Sequence, residues 1–216
     1  MKKIVCLLVL CCFLTACTAD RETPSVPETT AAAARISPLP ESIDLSHLDN
    51  CTVAVSLKEG DAYVDDTGAM QMKVTVYSYE LFDPVDISQL KAGDILTIRQ
   101  QDVPVTSVER DESGLVRING GLEQGGYDLG TFDQGVFLEI LPSDAKYWQE
   151  LGEATVRVSP DFIYTDSSDP GKGEVIYYPG DFLVEGTGID YNFTPNNTTI
   201  VIENERIIAM NRVYIP

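Results

Sequence analysis

The chain has 216 residues, with 15 Lys plus Arg against 34 Asp plus Glu, a formal net charge of −19, and 44% hydrophobic residues. An acidic surface of this kind repels phosphate backbones, which excludes nucleic acid as a partner class. The apolar fraction is too high for a disordered acidic chain, and the length fits one domain or two small ones.

Lys2 and Lys3 precede an apolar run from Ile4 to Phe13, which ends in Leu14-Thr15-Ala16-Cys17. This is the three-part layout of a secretory signal, residues 1–16, and the run is shorter than the roughly 20 apolar residues that a membrane-spanning helix needs. Leu14-Thr15-Ala16-Cys17 resembles a bacterial lipobox. That resemblance implies cleavage before Cys17 and attachment of a diacylglyceryl group to its thiol, often with a further acyl chain such as palmitate on the new amine. Two or three chains hold a protein durably on a membrane. The expected address is therefore the bacterial cell envelope, on the outer face of the cytoplasmic membrane or on an outer membrane where one exists. Cys6, Cys11 and Cys12 leave with the signal, so Cys51 is the one thiol left to the body and no disulfide is expected within one mature chain. Cys51 opens the alternation Cys51, Val53, Val55, Leu57 and reads as a buried strand cysteine.

Residues 17–41, rich in Thr, Ala and Pro after Cys17, read as a tether. The 24 residues from Thr18 to Glu41 reach about 25 Å as a coil or about 75 Å as polyproline. Ala31 to Ala34 are long enough for one helical turn and no more, because prolines flank them.

The body, residues 42–216, carries 11 basic against 30 acidic side chains. Strands are expected at Cys51 to Lys58, Met70 to Tyr79, Ile95 to Arg99, Val103 to Val108, Leu115 to Ile118, Val136 to Leu141, Thr155 to Val158, Phe162 to Tyr164, Glu174 to Tyr178, Phe182 to Glu185, Thr199 to Ile202 and Ile207 to Ile215. Many alternate with period two, so the fold class is all-β, an antiparallel sandwich or barrel-like sheets. One short helix is expected from Ser143 to Leu151, with Ser143 as N-cap and Gly152 just past its end. A subdivision near residues 142–154 would give two small packed β units, and a single compact body is the preferred reading. Glu203-Asn204-Glu205-Arg206 reads as the turn of a closing hairpin.

Chemistry is sparse. His47 is the lone histidine, so a His-based triad or a multi-histidine zinc site is not expected, and His47 reads as a surface turn residue. Asp66-Thr67-Gly68-Ala69 resembles the active-site signature of aspartic proteases, but Asp65 stands where an apolar residue belongs and no second copy exists, so the stretch reads as a hairpin turn. Asp166 to Glu174 could offer oxygen ligands to calcium, but the spacing is not that of an EF-hand and a solvated hairpin loop is the plainer reading. Gly120 to Gly130 is a candidate recognition loop, and Tyr147-Trp148 and Tyr177-Tyr178 are candidate stacking or interface aromatics. No catalytic residue, metal ligand or cofactor is assigned. The expectation is a membrane-anchored, non-catalytic binding module with an envelope protein or glycan as partner. The alternative is a carboxylate-based hydrolase, which requires two converging acids with one kept protonated.

Overall fold

Alternating apolar and polar side chains fold here into fifteen strands, one helix and short 3-10 turns among the residues that the computed structural model describes, 32–40, 43–142 and 145–215. In chain order the strands are β1 (Arg35–Ile36), β2 (Cys51–Ser56), β3 (Ala62–Val64), β4 (Met70–Ser78), β5 (Leu81–Phe82), β6 (Ile95–Ile98), β7 (Gln101–Pro104), β8 (Val108–Arg110), β9 (Val116–Ile118), β10 (Tyr127–Thr131), β11 (Phe137–Ile140), β12 (Gln149–Ser167), β13 (Val175–Tyr177), β14 (Thr198–Glu203) and β15 (Arg206–Val213). Helix α1 spans Pro84–Gln89. The folded body runs from Ala33 to Pro216, and the all-β class is as expected. The expected signal segment, Cys17 and residues 18–31 lie outside the described residues. No described helix is long and apolar enough to cross a membrane.

Five strands close on themselves. β2 pairs with β4, β4 with β12, β12 with β15, β15 with β14 and β14 with β2, and all of these pairs are antiparallel except β12–β15. Strands taken in chain order thus follow the 1-2-3-5-4 path of an OB-type Greek-key barrel. Closure depends on the 19-residue β12, whose first half pairs with β4 and whose second half pairs with β15. Pro160 does not break this strand, because it falls between Val158 and Ile163, where the β15 pairing shifts register and no ladder bond is asked of it. Inward positions fill the barrel: Val53 and Val55, Met72, Val74 and Val76, Ala154, Val156 and Val158, Ile200 and Ile202, then Ile207 and Met210. A bulge in β15 after Ile207 keeps Met210 on the inner face.

Residues between β4 and β12 form a second lobe inserted into the barrel sequence. Its sheets are β1-β6-β7 and β5-β11-β10-β9-β8, and they enclose a separate core of Ile36, Phe82, Ile87, Leu90, Leu96, Ile98, Val105, Val116, Ile118 and Leu129. The division between cores is therefore nested, since β2 to β4 share the barrel with β12 to β15.

The end of the expected tether belongs to this lobe. β1 pairs in parallel with β6, Ile36 is buried, and Asp94, 2% exposed, accepts the Ala34 N–H at 2.9 Å while Ala34 O accepts from Ile95 at 2.8 Å. Compositional bias toward Pro and Ala concealed one apolar residue in the right place.

The helix expected at Ser143 to Leu151 does not form in its described part. Lys146 bridges to Ile140, Gln149 opens β12, and Gly152 takes φ 140° at a bulge opposite β4 instead of capping a helix; Ser143 and Asp144 lie outside the described residues. The helix that does form, α1, carries its own signal: Asp83 accepts the Val85 N–H at 2.7 Å as N-cap and Pro84 occupies the first position. Phe182 to Glu185 is not a strand, because Asp181 caps a 3-10 turn, Pro179–Phe182, that drives Phe182 into the barrel core. The sheets are mixed, not wholly antiparallel.

Candidate functional site

The inner face of the barrel changes character at one end. Along β12 the inward phase runs Val156, Val158, Phe162, Tyr164 and then Asp166; along β15 it runs Ile207, Met210 and then Arg212; β14 begins inward with Thr198. The same periodicity that packs the core thus places a carboxylate, a guanidinium and two hydroxyls at the mouth. The segment from Pro179 to Phe193 closes the core beneath them, with the Tyr164 ring centroid 5.6 Å from that of Phe182 and 5.6 Å from that of Phe193.

Arg212 organises this mouth. Its side chain is 4% exposed; Nη1 donates to the Asp190 carbonyl at 2.8 Å, Nη2 donates to Asp190 Oδ2 at 3.0 Å, Nη1 lies 3.5 Å from Asp166 Oδ2, and the guanidinium sits over the Phe193 ring at 5.4 Å. Burial works against the charged guanidinium, but Asp190, Tyr164 and Asp166 outweigh it and keep Arg212 more firmly protonated than usual. Burial likewise pushes the Asp166 carboxyl up, yet hydrogen bonds from Ser168, together with Tyr164 and Arg212, hold it below the usual carboxylate range. The Tyr164 phenol is raised, first by burial, then by its hydrogen-bonding contact with Asp166 and by that carboxylate's charge. Two polar atoms are left over: Tyr164 Oη and Arg212 Nε are buried without a well-directed hydrogen bond.

Above this floor lies a cleft of about 510 Å³, bounded by the Ser168–Gly173 loop, β13, the Gly188–Asn192 segment and the end of β15. Its rim is apolar and exposed at Val175, Val213, Tyr214 and Ile215, while Asn192 and Asn197 offer amides. Tyr177 stacks on Tyr164 at 5.3 Å and donates to Gly188 O at 3.2 Å, which fixes the cleft's side wall. The arrangement is a neutralised ion pair at the bottom, amides at mid-height and aromatic or aliphatic surface at the rim, the composition of a recognition pocket in a barrel mouth.

The residues that the sequence singled out disperse. Asp65, not Asp66, is the working residue of the Asp-Thr-Gly-Ala stretch: its carboxylate accepts from the Thr67 N–H at 2.9 Å, the Thr67 hydroxyl at 2.6 Å, the Ala69 N–H at 3.0 Å and Gln71 at 2.7 Å, which holds it well below the usual range and makes the stretch a hairpin turn with Gly68 at φ 79°. His47 is exposed in a turn 3.3 Å from Glu205. Cys51 is half-buried in β2, its thiol raised by burial and by Asp49. Gly120 to Gly130 is ordered: Gly126 N–H donates to Gly121 O at 2.8 Å, and the run ends as β10. Trp148 stacks on Tyr79 at 4.0 Å and donates to Asn196 at 2.7 Å, whereas Tyr147 lies against Arg99 at 4.6 Å, which in turn holds the buried Glu139. Of the singled-out aromatics and acids, the cleft gathers Tyr177 and the loop beginning at Asp166, a loop that does join β12 and β13 as a hairpin.

Arg212 was missed, although a signal existed. It lies on the inward phase of an alternating strand, where a charge has no place unless partners wait for it. No family model, curated protein or solved structure matches the chain.

Proposed function

We propose that the protein is an exported, lipid-anchored lipoprotein of the bacterial envelope whose β body binds, without catalysis, a neutral polar ligand of the glycan class in the barrel mouth. The observation that carries the reading is the cleft floor, where Arg212 is neutralised by Asp166 and Asp190, beneath the Asn192 and Asn197 amides and a rim of Tyr214 and Val213. Hydroxyl groups of a sugar would pair with those amides, and an aromatic rim would take its apolar face. Anionic ligands are disfavoured by Asp166, Asp169 and Asp190 in the same wall and by the overall charge. The hydrolase alternative required an acid held protonated in a cleft; the acid buried here is held down instead, which favours binding.

A glycan array probed with the full chain in detergent tests the reading, beside variants Tyr214→Ser and Asn197→Ala at the rim and wall. Loss of binding to the neutral glycans in both variants, with unchanged thermal unfolding, is the expected result; retention in both would remove the mouth as the site. Anchoring is tested apart, by fractionation. Cys17→Ser is expected to release the protein from membranes, and unchanged sedimentation refutes the lipid anchor.

A further inference from the structure

A second concavity lies away from the mouth, between β3 and the Phe182–Glu185 segment. It has a volume of about 530 Å³, is walled by Val64, Leu183 and Val184, and has Tyr191 at its side. Val184 is 62% exposed and Val64 51%, an unusual exposure for aliphatic side chains that face one another across a groove. Glu59 and Glu185 stand in its lining and no basic side chain does; burial and the Glu59 charge both raise the Tyr191 phenol.

One edge of the backbone along this groove carries no strand, with Ala62 8% and Val64 51% exposed. β3 is the last strand of its sheet and pairs with β4 on one side only. Lys73 N–H donates to Asp61 O at 2.9 Å and Asp65 N–H donates to Ala69 O at 2.9 Å, so the odd-numbered residues 61, 63 and 65 turn their backbone toward β4. In an antiparallel ladder the alternate residues point the other way, which directs the N–H and C=O of Ala62 and Val64 outward along the groove. An open strand edge is a template for another strand unless it is blunted by Lys, Pro or a cover; β3, Ala-Tyr-Val, has neither Lys nor Pro, and its exposed end is at Val64.

We propose that this groove receives an extended segment of a partner protein, apolar and basic in alternation, which adds to β3 as a further strand. Backbone pairing to Ala62 and Val64 supplies affinity, the aliphatic walls take the apolar side chains, and Glu59 and Glu185 select Lys or Arg over acidic residues. The groove and the mouth cleft have no lining residue in common, although the segment from Phe182 to Asn192 borders both.

The test uses the full chain in detergent and three synthetic hexapeptides: acetyl-Lys-Val-Lys-Val-Lys-Val-amide, its Glu counterpart, and the Lys peptide N-methylated at the residues that would face β3. The Lys peptide is expected to slow hydrogen exchange at the Ala62 and Val64 amides. The Glu peptide is expected to bind about tenfold more weakly, two exposed ion pairs being lost, and the N-methyl peptide also about tenfold more weakly, because its hydrogen bonds are removed. Glu59→Lys with Glu185→Lys, both at exposed positions, is expected to reverse the charge preference without altering unfolding. No protection of Ala62 and Val64 by the Lys peptide, equal binding of the Lys and Glu peptides, or undiminished binding of the N-methyl peptide would each overturn the proposal.

Discussion

Arg212 and Asp166 are the two residues whose removal should be felt most sharply. Arg212→Met leaves Asp166, 13% exposed at the mouth, with its counter-charge gone, at a cost of about 2 to 4 kcal/mol; the lower part of this range falls below that for a fully buried pair because Asp166 and Asp190 both reach solvent. Adding Asp166→Asn to that variant removes the stranded charge and is expected to recover part of the loss, which urea unfolding of the two variants measures. A larger loss in the double variant than in the single one would show that the pair is not coupled in this way. Gly126 and Gly125 make a matched contrast. A Cβ at Gly126 would lie 2.0 Å from the Ile118 carbonyl oxygen, a backbone atom that cannot move aside, whereas nothing stands within 4 Å at Gly125, which takes φ 80°. Gly125→Ala should therefore cost about 1 to 2 kcal/mol of backbone strain, and Gly126→Ala clearly more, in the same denaturation experiment. The sequence showed a run of glycines and suggested a recognition loop; the close approach of backbones at Gly126 leaves no periodic trace.

At the scale of elements, the N-terminal strand β1 is held by two acids rather than by length. Asp94 accepts backbone hydrogen bonds from Ala34 and Lys91, and Asp102 pairs with Arg35, with Thr97 also donating to it; both carboxyls are held below the usual range. For groups so lowered, the stabilisation is present above the ordinary carboxylate value near pH 4 and is lost as pH falls through the folded value. Trypsin cleavage after Arg35 is accordingly expected to be slow at neutral pH, and hydrogen exchange at Ala34 to accelerate below about pH 4 while the barrel amides stay protected. Asp94→Ala should bring the same release to neutral pH, with about 1 to 3 kcal/mol lost from the two donors left without an acceptor; unchanged exchange at Ala34 in that variant would refute the role given to Asp94. Most strands were legible because inward and outward residues alternate, as in Met72, Val74 and Val76 against Gln71, Lys73 and Thr75. The helix misassigned at Ser143 to Leu151 shows the limit: Tyr147 and Trp148 fit helical spacing, but their partners, Arg99, Tyr79 and Asn196, are distant in sequence, and those contacts decide the backbone.

For the whole molecule, nesting is the organising fact. Ser78 and Gln149, at the two junctions of the inserted lobe, face each other directly across the β4–β12 ladder, and the two cores share no residue. Replacing residues 79–148 by Asn-Gly should therefore convert the junction into a tight hairpin and leave a folded barrel. Dispersed amide spectra and a single cooperative unfolding transition are the expected outcome, and a collapsed, non-cooperative product would show that the barrel depends on its insert. Neither the nesting nor the barrel mouth was visible in the sequence, because both arise from pairings between strands more than forty residues apart, such as β12 with β15 and β2 with β14.

The attachment of β1 to the inserted lobe, and not to the barrel, also decides where mechanical load enters. A pull on the chain upstream of Ala34 is taken first by β1, which lies parallel to β6 and is loaded in shear, with the Arg35–Asp102 pair and the Asp94 hydrogen bond resisting alongside. Tension next meets Leu48 in the barrel core, with Leu45 packed against that core, before it reaches β2. The lobe thus acts as a strain relief for the mouth, so that the geometry around Arg212 is insulated from whatever tugs at the N-terminal side.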